Sequence, residues 1–355
     1  MGARVVGCVV AATTMVAAAC SGPSGGEVPS GGASGPGFPA TVVADCRGAK
    51  VTLRSAPRRI VTSNASALEL LFWLGAGDRV IGTGFPPGKG TLPPQFAEAA
   101  AKVPVLSDTV IAKEELLGSG ADLYIDTFAA PDAGGGAPVG VPTEREFAAA
   151  GITHLSLLST ACAARSSGQR RDLADVEADI ARLGAVTGTS AKANELVEAM
   201  RHKVNAVRDA VAGVAEDKRP SYFFFDFDAS TKQPMALCGK QIGNAIFTLA
   251  GARNVYADCD ADFRQVSWED VVAKNPDWIQ LGVRDRGDDK ATSAAFDQAE
   301  QFLRQYPATS GLAAVRQDHF VRITSQLTAI AGVRDADTVR AIAASLYPSL
   351  VRGEG

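Results

Sequence analysis

F-W-L-G-A-G-D-R-V, at Phe72–Val80, returns as F-T-L-A-G-A-R-N-V at Phe247–Val255. Laid over each other without a gap, the apolar positions coincide: Phe72 with Phe247, Leu74 with Leu249, Val80 with Val255. A second pair of stretches follows in the same order. E-E-L-L-G-S-G-A-D-L-Y-I at Glu114–Ile125 is matched by E-D-V-V-A-K-N-P-D-W-I-Q at Glu269–Gln280. In both, a Glu opens a helical pattern and an Asp eight residues on (Asp122, Asp277) precedes an apolar strand. Two units repeated in one order imply two similar lobes, and two facing lobes leave a cleft between them.

Outward from these stretches, strands and helices alternate. Arg59–Ser63 reads as a short strand running into Asn64–Ser66, which caps a helix over Ala67–Leu74. Val80–Thr83, Leu123–Thr127 and His154–Leu158 read as further strands, with a helix at Glu144–Ala150. Beyond Pro220, S-Y-F-F-F-D-F (Ser221–Phe227) has the composition of a strand buried on both faces. Helices at Gln241–Leu249, Trp268–Lys274 and Ala336–Leu346 then alternate with strands at Asn254–Tyr256, Trp278–Leu281 and His319–Ile323. The predicted fold class is α/β: two Rossmann-like lobes with mainly parallel sheets, spanning 41–188 and 215–355, each with its own core. Between them Leu196, Met200, Val204, Val207 and Val211 step at helical spacing. That predicts one long rigid connecting helix over 189–214, about 24 residues and roughly 36 Å long. A stiff connector predicts little closure on ligand binding.

The N-terminus predicts a location. Arg4 precedes an apolar run, Val5–Ala19, too short to span a bilayer comfortably. V-A-A-A-C-S-G (Val16–Gly22) resembles a bacterial lipobox, which makes residues 1–19 a lipoprotein signal peptide and Cys20 the lipidated first residue. Residues 20–40 are mostly Gly, Ser, Pro and small residues, the composition of a flexible tether. The expectation is an extracytoplasmic protein anchored to the cell membrane through lipid. Removing residues 1–19 takes one basic residue, Arg4, from 35, leaving 34 against 39 acidic and a net charge near −5. No basic excess is present to bind nucleic acid. Cys46, Cys162, Cys238 and Cys259 remain in the exported body. An even number in an oxidising compartment favours disulfides, and one bridge per lobe, Cys46–Cys162 and Cys238–Cys259, is the simplest of the three pairings.

The chemistry-bearing residues favour binding over catalysis. The three histidines are scattered, and no G-x-S-x-G elbow, H-E-x-x-H, Walker or C-x-x-C motif occurs. No catalytic residue and no direct metal ligand is therefore assigned, and a monomer without cofactor is expected. Asp226 and Asp228, flanking Phe227, are a carboxylate pair that offers an exported enzyme as an alternative. A cell-wall interaction protein on the same fold is a further one. In parallel sheets, ligands meet the loops after the strands' C-terminal ends. Those loops carry Asn64, Phe85, Lys89 and Phe128 in the first lobe and Lys240, Phe263, Arg264 and Arg284 in the second. Aromatic groups beside cations suit a flat or bulky anionic ligand. Glu114 and Glu269, at matching places in the two repeats, would project one negative charge from each lobe. That suits docking onto a two-fold symmetric partner with two basic pockets.

P-R-R-I-V-T-S-N-A-S-A-L-E-L-L-F-W-L-G-A-G-D-R-V-I-G (Pro57–Gly82) resembles the opening of the iron-siderophore and vitamin B12 binding proteins of bacterial ABC importers. L-A-G-A-R-N-V (Leu249–Val255) and V-S-W-E-D-V-V-A-K-N-P-D-W-I (Val266–Ile279) resemble that family's second lobe, and L-A-A-V-R-Q-D-H-F-V-R-I (Leu312–Ile323) its last strand. The resemblance implies two α/β lobes joined by one rigid helix, a ligand in a shallow cleft, and one Glu per lobe, at Glu114 and Glu269, engaging arginines of the permease. It implies delivery of a small-molecule metal chelate, a ferric siderophore-like ligand, to an ABC permease and its ATPase. Some relatives bind cobalamin, haem or a deazaflavin precursor instead. Phe263 falls where the B12-binding member carries a cleft Trp. Gly120-Ala121-Asp122 replaces the usual K-P-D, and the insert Ala130–Thr143 has no counterpart in the pattern.

Overall fold

The computed structural model describes residues 38–44, 48, 50–128, 140–165 and 168–351. The signal segment, Cys20, most of the tether, Cys46 and most of the insert lie outside the described residues. A hairpin of β1 (Thr41–Ala44) and β2 (Lys50–Leu53) precedes the first lobe. That lobe's sheet is β3 (Ile60–Thr62), β4 (Val80–Gly84), β5 (Val105–Ser107), β6 (Leu123–Asp126) and β7 (Thr153–Ser156). All its pairings are parallel, in the spatial order β5-β4-β3-β6-β7. Helices α1 (Ala65–Trp73), α2 (Pro94–Ala100), α3 (Lys113–Gly118) and α4 (Glu144–Ala149) connect the strands, and α5 (Ala174–Thr187) and α6 (Ser190–Ala210) lead out. The second sheet is parallel in the order β10-β8-β12-β13: β8 (Ser221–Asp226), β10 (Arg253–Asn254), β12 (Trp278–Gly282) and β13 (Phe320–Arg322). Beside it, β9 (Met235–Leu237) pairs antiparallel with β11 (Phe263–Gln265). The helices here are α7 (Ile242–Leu249), α8 (Trp268–Lys274), α9 (Asp289–Gln305), α10 (Ala313–Arg316), α11 (Gln326–Ala329) and α12 (Asp335–Leu346).

Both sheets are covered on two faces, and the strand sequences say why. Successive side chains on a strand alternate sides. Ile60, Leu123 and Ile125 pack with α1 and α5, while Val61 and Tyr124 pack with Leu116 of α3 and Phe147 of α4. In β8, Tyr222 and Phe224 face α7, and Phe223 and Phe225 face Trp268 of α8 and Phe296 of α9. The aromatic run of β8 is thus buried on both sides, as its composition predicts.

The repeat is real at the level of hydrogen bonds. Asp122 accepts from the backbone N–H groups of Arg58 (2.8 Å) and Arg59 (3.0 Å), just before β3. Asp277 accepts from the N–H of Ser221 (2.8 Å), the first residue of β8. Each carboxylate thus fastens the start of its lobe's first strand to the strand beside it. The gapless match of Phe72–Val80 to Phe247–Val255 needs correction. Both helices end with glycine at positive φ, Gly75 (+73°) and Gly251 (+83°). In both, the next N–H reaches back to close the last turn, Ala76 to Leu71 and Ala252 to Phe247. Leu71 therefore corresponds to Phe247. On the strand side, Val80 pairs with Ile60 whereas Asn254 pairs with Tyr222. A short 3₁₀ turn, Gly77–Arg79, lengthens the first copy, and the gapless match splits that difference.

α6 has 21 residues and is about 32 Å long, shorter than its apolar pattern predicts because the helix stops at Ala210. It is no free-standing strut. Leu196, Val197, Met200 and Val207 sink into one core that also holds Ile180 and Leu183 of α5 and Val339 and Ile342 of α12. The expectation of separate cores is corrected accordingly: the largest core runs through α5, α6, α7 and α12 from one sheet to the other.

Candidate functional site

In each sheet the strand order reverses beside the first strand, between β3 and β6 and between β8 and β12. Ligands of open parallel sheets bind at such points, beyond the strands' C-terminal ends. A cavity of 540 Å³ lies there and is lined by both lobes. One wall is a side of α1 (Asn64, Ser66, Glu69, Leu70, Trp73), the loop from Phe85 to Leu92, and Phe128. The other is Asp226, Arg284, Asp285 and most of the stretch Ser325–Asp335.

Four of the predicted ligand residues line this cavity: Asn64, Phe85, Phe128 and Arg284. Asn64 is committed to the fold. Its Oδ1 accepts from the N–H groups of Ser66 (3.1 Å) and Ala67 (3.2 Å) as the cap of α1, and its Nδ2 donates to Thr127 Oγ1 (2.7 Å). Phe85 is held at φ +33°, with its N–H donating to Thr109 O and its carbonyl accepting from Ala65 N–H. Its ring meets Phe128 at 5.6 Å between centroids. Arg284 is exposed, and its backbone N–H donates to Asp228 (2.6 Å).

The other four lie elsewhere. Lys89 is exposed on the loop whose backbone abuts Gly287. Lys240 is ion-paired with Asp260 at 2.9 Å. Phe263 and Arg264 are exposed on β11, which leaves the main sheet to pair with β9. The cavity is therefore not basic. Among the described residues its cations are Arg284 and Arg334, against the carboxyl groups of Glu69, Asp226, Asp285 and Asp335. Burial pushes Asp335 well above the ordinary carboxylate range, and burial also raises Asp226 although Arg284 opposes it.

Residues missed by the sequence reading form the seam between the lobes. Arg334 grips Glu69 with two hydrogen bonds, Nε to Oε1 (2.8 Å) and Nη2 to Oε2 (2.6 Å), and donates to Thr91 O (3.1 Å). Trp73 Nε1 also donates to Glu69 (3.0 Å), and Ser66 Oγ to Ala331 O (3.2 Å). Gly90 and Gly287 meet backbone to backbone, with no room for a side chain at Gly287. At a second place, Arg170 N–H donates to Gly239 O (2.8 Å) and Asn244 Nδ2 to Arg170 O (2.7 Å).

Behind Phe128, Asp126 Oδ1 accepts its N–H (2.9 Å) while Oδ2 faces His154 Nε2 (3.3 Å). Nδ1 of the same imidazole contacts Glu144 at 2.8 Å. Burial works against a charge on His154, but Asp126 and Glu144 together outweigh it and push the imidazole up to about 9.

Glu114 and Glu269 are both exposed, each the second residue of its helix, α3 and α8. Each helix precedes the strand that pairs with its lobe's first strand. Glu269's own N–H and Ser267 hold its carboxyl below the ordinary range. Cys238 and Cys259 are joined in a disulfide. Cys162 is disulfide-bonded, but Cys46 lies outside the described residues. No group of His, Cys, Asp and Glu among the described residues is arranged to hold a metal ion. No helix among them is long and apolar enough to cross a membrane.

A family model described as "Periplasmic binding protein" matches residues 60–327. A cobalamin-binding protein of Halobacterium salinarum is 29% identical over 288 residues, covering 79% of this chain and 69% of that one. An uncharacterized ABC transporter substrate-binding lipoprotein of Bacillus subtilis is 23% identical over 312 residues, covering 88% of this chain and 86% of its own. The crystal structure of a periplasmic binding protein from Veillonella parvula superposes with a TM-score of 0.71 at 24% identity, covering 84% of this chain and 94% of that one.

Proposed function

Because the chain belongs to the periplasmic binding protein family, we propose that it captures a metal chelate of low net charge in the cleft and presents it to an ABC permease. The observation that carries this is the cavity itself: two sheets' switch points face one aromatic-walled space with few uncommitted charges. A ferric siderophore-like chelate fits the reading best when its own donor groups complete the metal's coordination. Haem fits less well. Its iron takes axial His, Cys, Met or Tyr, and the wall offers none of these among the described residues. The intervening sequence 129–139 contains none either. A corrinoid is the second reading, favoured by the cobalamin-binding relative. The low charge of the wall argues against the anionic ligand that the sequence suggests.

In this reading Cys20 carries the lipid that keeps the protein outside the cell membrane, consistent with a relative described as a lipoprotein. Glu114 and Glu269 dock the loaded monomer onto the permease, and no residue is catalytic. Trp73 in the cavity wall is a reporter for the test. Purified protein titrated with a ferric trihydroxamate, cobalamin and haem should show saturable quenching of Trp73 with the first or second. Quenching by haem alone, or by none of them in folded protein, would overturn the reading.

A further inference from the structure

The cavity does not stop at the strand ends. It follows one side of α1 from its cap Asn64 to Trp73, a helix of nine residues and about 13 Å. Facing α1 along this stretch are Leu327, Val333 and, from the loop before α2, Leu92. Ser66, Glu69, Trp73 and Thr91, polar side chains along this groove, are already bonded within the protein. Ser66 Oγ bonds Ala331 O, Thr91 Oγ1 bonds Gly88 O, and Glu69 holds both Trp73 Nε1 and Arg334. A polar ligand group placed there would lose water and compete with these bonds for partners. An apolar one would meet Leu70, Leu92, Leu327, Val333 and the Trp73 ring.

We propose that the ligand carries an aliphatic acyl arm, and that this arm lies in the groove along α1 while the chelate occupies the strand-end part of the cavity. The proposal rests on the chelate reading above and adds the class of chelate: amphiphilic, with a hydrocarbon chain. The groove is continuous with the cleft, so one molecule can fill both. The arm crosses the ion pair of Glu69 and Arg334, whose opposite charges offset each other.

The test compares two neutral ferric trihydroxamates that differ only in a terminal acetyl or octanoyl group, titrated against the full chain and followed by Trp73 emission. Each methylene buried strengthens binding about fourfold, so burial of two gives more than about tenfold. The octanoyl chelate should therefore bind at least about tenfold more tightly and shift Trp73 emission to the blue. Val333→Phe, which fills the groove, should bring the ratio of octanoyl to acetyl affinity down to about one. Leu92→Phe serves the same purpose from the other wall should the first variant not fold. Equal affinities for the two chelates would overturn the arm and leave the chelate reading intact. An octanoyl advantage that survives both filled-groove variants would place the chain elsewhere and also overturn it. Binding of neither chelate would remove the trihydroxamate reading and the arm together.

Discussion

Phe85 holds a backbone angle that phenylalanine rarely adopts, and does so at the rim of the cleft. Such strain persists where the surroundings over-determine it, often at ligand sites. Here Thr109 O and Ala65 N–H pin the backbone from both sides. Replacement tests whether the strain is real. Phe85→Gly relieves it and Phe85→Ala does not. The glycine variant should thus be the more stable by about 1 kcal/mol in thermal denaturation, the reverse of the usual order. Both should bind ligand more weakly. His154 gives a second residue-scale prediction. Its folded-state value lies near 9, above the ordinary 6.5. Its contribution is therefore fully present below about pH 6.5 and is lost as pH rises through 9, on the order of 3 kcal/mol. Urea denaturation at pH 6 and pH 9.5 should show that loss, and His154→Gln should flatten it. An unchanged pH slope in the variant would place the effect elsewhere.

Among the elements, the α5–α6 pair is packed most tightly at one point. A side chain on Gly184 would collide with the Cβ of Ala193. In an exposed helix Gly→Ala stabilises by about 1 kcal/mol. Here Gly184→Ala should destabilise by about 1–3 kcal/mol through overpacking, and Ala193→Gly should restore much of it. Chemical denaturation of the two single variants and the double variant decides the matter. The elements that the sequence made legible are those with strong local signals: the aromatic run of β8, the Ser267-capped α8, the apolar stripe of α6. α9 passed unread because alanines, Ala295 and Ala299, make up half its buried face and mark no period clearly. β5, β9 and β11 have three residues each, too few to show alternation. The cleft follows the same rule. Asn64, Phe85, Phe128 and Arg284 were readable because strand ends point at ligands. Glu69 and Arg334 were not, since their partnership spans 265 residues of chain. Lys240, Phe263 and Arg264 were placed on the cleft as residues of loops after strand ends, but β9 and β11 pair with each other in a small sheet of their own.

At the scale of the whole molecule, the proposed function puts capture and delivery on different surfaces. Glu114 and Glu269 stand on α3 and α8 and do not line the cavity. Replacing both with Ala should leave chelate affinity in purified protein unchanged and lower uptake in cells at least about tenfold. Loss of chelate affinity with permease binding retained would reassign them to the pocket. The two lobes themselves are held by more than α6: the shared core, the Glu69–Arg334 bridge, the Gly90–Gly287 contact and the Arg170–Gly239 bond all span them.

Under the proposed function, a body held together in so many places should show its receptor almost the same outline whether the cleft is full or vacant. The receptor then has little by which to refuse an unladen visitor. Vacant copies should then occupy the same berths as laden ones, with traffic set by the fraction of copies carrying cargo rather than by cargo alone. Raising the amount of this protein at a fixed, scarce supply of its ligand should therefore slow import, the opposite of what a simple carrier would do.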